Sequence, residues 1–188
     1  MISEPYLAPL RRVAGGLLAI GMILISQQPV LASPFGQGVF GADVPFGSVT
    51  SITISLGGDV SLALQPDGPN FSGNNSHTVT VTSTDVVGYL LYAHSTGSSD
   101  MVNGSNIIPA SSNTVAGSLA VDSWGYNTTG STTNFLGMKT TSALLKDANG
   151  PYKNGDGTAV TYGALASASK AAGSYLTSVT YTVVAKNQ

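Results

Sequence analysis

From residue 51 onward, apolar residues return at every second position in short runs, and this period is the strongest constraint on the fold. A repeat of two places alternate side chains on opposite faces of a strand, whereas a helix repeats every 3.6 residues. Ile52, Ile54 and Leu56 alternate with Ser51, Thr53 and Ser55. Val60, Leu62 and Leu64 continue the pattern after Gly57-Gly58-Asp59, which reads as a tight turn. His77–Thr82 sets valines on one face and threonines on the other, and Val87–His94 is apolar enough to be buried on both. Leu119 and Val121 alternate before Trp124, Val160 and Tyr162 form another short run, and Tyr175, Thr177, Val179, Tyr181 and Val183 share one face. Gly/Pro/Asn/Asp/Ser clusters separate the runs. The pattern predicts an all-β fold, an antiparallel immunoglobulin-like β-sandwich of seven to nine strands spanning residues 49–188. Leu165–Ala172 is alanine-rich and reads as one helical turn or a loop.

Such a sandwich needs a polar exterior, and here it is uncharged. Beyond residue 32 there are 22 Ser and 19 Thr but no Glu and no Arg. Charged residues make up 9% of the chain, against about a quarter in ordinary soluble domains. The formal net charge of −2 excludes the Lys/Arg footprint that nucleic acid requires. A surface of this kind hydrogen-bonds to neighbours without long-range repulsion, which suits cell-wall or host glycans, or like subunits. The chain has no cysteine, so disulfides and cysteine-type structural zinc are excluded.

Residues 1–32 read as a cleavable signal peptide. Arg11 and Arg12 supply the positive region, Val13–Ile25 the apolar run, and Val30-Leu31-Ala32 the small-x-small pattern before Ser33. Thirteen residues rise only about 20 Å in a helix, short of the roughly 30 Å hydrocarbon core. The expected mature chain is therefore secreted or displayed at the cell surface, without a membrane span. Residues 33–48 carry Phe35, Phe40 and Phe46 among glycines and prolines, and read as an extended arm or linker.

Candidate chemistry is sparse. His77 and His94 lie in strand-edge sequence, and no Gly-x-Ser-x-Gly elbow surrounds any serine. The aspartates sit in turn-like sequence, where their carboxylates accept local backbone hydrogen bonds. Asp147, Asn149, Asn154 and Asp156 form a candidate calcium loop, yet the glycine spacing matches no EF-hand and Lys153 lies inside it. A pair of Asn-Gly and Asp-Gly turns in a hairpin loop explains the same residues. Trp124 and Tyr126 fall on one face of a strand, so they are core plugs first and a glycan-stacking platform second. Sequons stand at Asn70, Asn74, Asn103 and Asn127.

The ordered motifs carry a resemblance. Ser51–Leu56 with Val60–Pro66 is followed by Thr78–Thr84 and Gly88-Tyr89-Leu90-Leu91-Tyr92. Met101–Ala110, Trp124-Gly125-Tyr126, Ala172-Gly173-Ser174-Tyr175 and Val179–Thr182 complete the set. In this order they resemble secreted β-sandwich cell-surface proteins of small-genome bacteria of the candidate-phyla type. The resemblance implies a surface structural role and brings no catalytic residues or cofactor. The expectation is a non-enzymatic structural or adhesive protein. The alternatives are a carbohydrate-binding module on Trp124 and Tyr126, or a pilus-like subunit joined through its N-terminal arm.

Overall fold

A fifteen-residue strand, β3 (Asn70–Thr84), runs through the computed structural model and carries neighbours on both edges. The structure describes residues 50–186; the expected signal peptide and the arm at 33–48 lie outside the described residues. On one edge, β3 pairs with β1 (Ser51–Leu56) and, further along, with β2 (Gln65–Asp67). On its other edge it pairs with β9 (Asp156–Ser167), which in turn pairs with β7 (Ser123–Asn127). The second sheet has the order β10 (Val179–Lys186), β4 (Gly88–Ser95), β8 (Ala143–Asn149). A small hairpin joins β5 (Met101–Asn103) to β6 (Asn106–Ile108). Every named pair is antiparallel, the described residues contain no helix, and the fold is all-β as the alternation requires. The ten strands include three of only three residues, too short to show a period in sequence.

The core forms where the inner faces of the two sheets meet. Val79 and Val81 of β3, Tyr89 and Leu91 of β4, Trp124 of β7 and Val160 of β9 are all fully buried. Thr78, Thr80 and Thr82 take the opposite face of β3, where β-branched residues suit the pleat. Leu165–Ser167 continues β9 rather than turning into a helix. Its alanines have a packing reason: Ala164 stands opposite Trp124 and needs to be small beside the indole.

Gly57-Gly58-Asp59 is not a hairpin. Leu56 pairs with Val79 and Gln65 with Ser72, so β1 and β2 run in one direction along β3. Between them eight residues, 57–64, face six, 73–78. The surplus is taken up as a wide bulge, with Gly58 at φ +102° and Gly57 N–H donating to Thr78 O at 3.0 Å. Asn75 Nδ2 donates to Ser61 O at 3.0 Å and ties the bulged segment down.

The Trp-Gly-Tyr motif is explained by register. Gly125 pairs with Gly163 across β7 and β9. The two glycines leave a slot on the outer face, and the Phe135 ring sits against Gly163 in it, only 3% exposed. A methyl at Gly163 would overlap that ring. Gly163→Ala should therefore cost about 1–3 kcal/mol by overpacking. In a Phe135→Ala background the same change should cost almost nothing, a coupling that urea denaturation of the four variants measures.

Candidate functional site

The bulge leaves a cleft of about 740 Å³ between the 57–64 segment and the chain running from Gly173 into β10. Val60, Leu62 and Leu64 line one wall, Leu176, Val179 and Tyr181 the other, and Trp124, Tyr162 and Ile108 form the floor. Both walls are built from period-two runs whose apolar residues face the core, and Asp59, Ser61, Thr177 and Ser178 line the cleft between them.

A chain of polar groups starts between these rows. His77, which sequence placed at a strand opening, stands in the middle of β3 opposite the bulge. Its Nδ1 lies 2.8 Å from Gly58 O and its Nε2 lies 2.8 Å from the Tyr181 hydroxyl. A carbonyl only accepts, so Nδ1 carries the hydrogen, and in the neutral ring Nε2 accepts. Tyr181 therefore donates to His77, and Tyr162, whose hydroxyl is 2.5 Å from that of Tyr181, donates to Tyr181. The chain Tyr162 to Tyr181 to His77 to Gly58 has one consistent direction, and each member needs the next. Burial pushes the Tyr162 hydroxyl far up, with the Tyr181 charge and hydrogen bond adding to it. Burial likewise raises Tyr181, so both phenols stay neutral donors.

Of the two readings of Trp124 and Tyr126, burial fits the core plug and not the aromatic platform. Trp124 is 1% exposed and Tyr126 4%, because both project from β7 into the core rather than to solvent. Trp124 Nε1 donates to Ser99 O at 2.9 Å, and its ring lies 6.2 Å from that of Tyr162. The polar tip of the indole is thus satisfied inside the protein. Neither ring offers a face to a sugar, and burial raises the Tyr126 hydroxyl as well.

The residues of the candidate calcium loop do not converge on a common site. Residues 149–156 cross between the two sheets, not within a hairpin, since β8 pairs with β4 and β9 with β3 and β7. Lys186 Nζ bonds Asp147 Oδ1 and, at 3.1 Å, Asn149 Oδ1. Asp156 accepts from Lys146 Nζ and from the Tyr89 hydroxyl, both at 2.7 Å. Asn154 is exposed. Two lysines hold the carboxylates that a cation would need. Among the described residues no group of three or more His, Asp or Glu side chains is placed to hold a metal. One sequon is also accounted for: Asn127 is 1% exposed, donating to Ser131 O and Asn134 O while its Oδ1 accepts from Thr129 and Ser131.

Sequence reasoning passed over Tyr162, Tyr181 and His77 as a unit. Their numbers are far apart, and only the pairing of β3 with β9 and the packing of β10 bring them together.

No family model matches the chain, and no curated protein matches it. Among solved structures, a chain from a chaperone–tip adhesin complex of CFA/I fimbriae biogenesis aligns with a TM-score of 0.42 and 15% identity. The alignment covers 73% of this chain and 42% of that one, so this chain spans less than half of that neighbour's length. Among the described residues, no helix is long and apolar enough to cross a membrane.

The hydrogen-bond direction sets an order of costs. Tyr181→Phe strands both Tyr162 and His77, and should cost about 2–3 kcal/mol of stability. Tyr162→Phe leaves the Tyr181–His77 bond intact and should cost about 1 kcal/mol. Thermal unfolding of the two variants ranks them, and equal losses would contradict the assigned direction. Asp156 gives a pH signature. Burial pushes its carboxyl up, but the hydrogen bonds from Lys146 and Tyr89 and the Lys146 charge outweigh this and hold it below its usual value. A depressed folded value means that the carboxylate adds stability above the unfolded value and loses it as pH falls through the folded one. Asp156→Asn should thus destabilise by about 2 kcal/mol at pH 7. Its gap to the native protein should close below pH about 4, measured by denaturation across pH.

Proposed function

We propose that this chain is a non-enzymatic secreted or cell-surface β-sandwich with a structural or adhesive role. The observation that carries this reading is the state of the groups nearest the cleft. Both nitrogens of His77 are engaged, by Gly58 and Tyr181, and both cleft tyrosines are committed to the same chain of bonds. A general base needs a nitrogen or carboxylate facing a substrate. His77 and the tyrosines face one another, and the carboxylate among the lining residues, Asp59, is exposed on the bulge. The leader, the Ser/Thr exterior and the low net charge support export and close contact with neighbouring surfaces. A cleft of mixed apolar and hydroxyl lining, rimmed by strands, suits a protein segment better than a charged metabolite.

Protease shaving of intact cells, followed by mass spectrometry of the released peptides, tests the placement. Peptides from residues 50–186 should appear among the released material, and cells lacking the protein should attach less to their partner cells or to one another. Recovery of the chain only from the cell interior would overturn the proposal, as would turnover of a glycan, ester or peptide substrate that Tyr181→Phe abolishes.

A further inference from the structure

The last strand has an open edge. Among the described residues β10 pairs with β4 alone. Thr96 N–H donates to Ser178 O at 2.9 Å and Val87 N–H to Lys186 O at 3.2 Å, so the even-numbered residues turn their backbone groups toward β4. Hydrogen-bonding direction alternates along an antiparallel pair. The N–H and C=O groups of Val179, Tyr181, Val183 and Ala185 therefore lie on the open side. Val179, Tyr181 and Val183 also pack their side chains against the core, yet they are only half-buried. An edge of this kind recruits another strand.

We propose that residues 40–46 of the same chain occupy this edge as a strand parallel to β10. They lie outside the described residues, but the start of the described chain shows where they enter. Thr50 Oγ1 donates to Asp85 O at 3.4 Å, and only Val86 separates Asp85 from Val87, which holds the end of β10. The chain before Thr50 thus arrives at the Lys186 end of the open edge. The four residues from Phe46 to Thr50 extend at most about 14 Å. Residues 40–46 must therefore run toward Lys186, which is the direction of β10 itself. A tether this short sets an effective concentration on the order of millimolar, which favours the own chain over a second copy. The side-chain pattern fits. Phe40, Ala42, Val44 and Phe46 are apolar at alternate positions. With Phe46 beside Ala185, Val44 falls beside Val183, Ala42 beside Tyr181 and Phe40 beside Val179, so a large ring meets an alanine twice. In that register the carbonyls of Gly41, Asp43 and Pro45 accept from Tyr181, Val183 and Ala185, and Pro45 forfeits one donor.

Amide hydrogen exchange read by NMR tests the proposal on the exported chain and on a Phe40→Asp, Phe46→Asp variant. In the native chain the amides of Tyr181, Val183 and Ala185 should be protected, and in the variant they should exchange at least about tenfold faster. The amides of Thr180, Thr182 and Val184, which face β4, should stay slow in both and show that the variant is folded. Fast exchange at Tyr181, Val183 and Ala185 in the native chain overturns the proposal, and so does protection that grows with protein concentration. A second measurement does not depend on the variant's stability. The chain has no cysteine, so Asp43→Cys with Thr182→Cys introduces a single thiol pair, on neighbouring outward positions of the two strands. A short thiol-to-thiol crosslinker should join them within one chain, giving the mass of a monomer plus one linker. Linked dimers would assign the edge to a second copy, and unlinked chains would leave it open; either result overturns the proposal. None of these results alters whether shaving finds the protein at the surface, so the two readings fail separately.

Discussion

The two surplus residues between β1 and β2 shape everything around the cleft. Although Val60, Leu62 and Leu64 pack half-buried against the core, a β1 continued in register along β3 would have carried them within the ladder. Eight residues against six cannot do so. The excess swings the segment outward at Gly58, whose φ of +102° is open to glycine at little cost. That swing turns the Gly58 carbonyl toward His77, and the imidazole then anchors the two tyrosine hydroxyls. A polar chain inside an apolar wall is stable only when each member is satisfied. Here the bulge supplies the terminal acceptor, so the hydrogen-bonded chain and the open wall have a single origin.

Charge plays a different part. Some of the few ionic groups described are fasteners: Lys146 and Tyr89 hold Asp156 across the two sheets, and Lys186 spans Asp147 and Asn149, while Asp59, Asp67, Lys139 and Lys153 are exposed. Asp122, at φ +62°, accepts the Ser167 backbone N–H at 2.8 Å and faces Lys170 at 3.7 Å. Its carboxyl is lowered first by that backbone hydrogen bond, which outweighs burial, with the Ser167 hydroxyl and Lys170 adding to it. Most of the remaining polar exterior is hydroxyl and amide. Such a surface recognises by fit and short hydrogen bonds.

Legibility in the sequence followed the range of the interaction. The alternation of Val79 and Val81, and of Val179, Tyr181 and Val183, was readable because each face is set by neighbours two residues away; Val87–His94 read as buried on both faces, whereas Tyr89 and Leu91 are buried and Leu90 and Tyr92 half-buried. The polar half of β3, Asn70–Ser76, gave no such signal. It is strand because β2 and β9 pair with it on both edges, a tertiary override of weak local preference. The core role of Trp124 was readable from its rarity and its strand, whereas the purpose of Gly125 was not, since Phe135 arrives from ten residues further on. The acidic turn at 147–156 showed the reverse. Its composition suited a cation, but Lys146 and Lys186 come from neighbouring strands and hold the carboxylates.

The sequence by itself determined the class of fold, because a period of two is a local property of the backbone and admits no helix. It also determined the uncharged exterior, because side-chain composition is not altered by folding. Tertiary structure alone decided which edge of the sandwich stays open and which residues line it. Those follow from the registers of β1 and β2 against β3, and register is set by hydrogen bonds between segments that sequence separation does not relate. The gathering of His77, Tyr162 and Tyr181 was decided there too, since strands from both sheets must pack before the three side chains can meet.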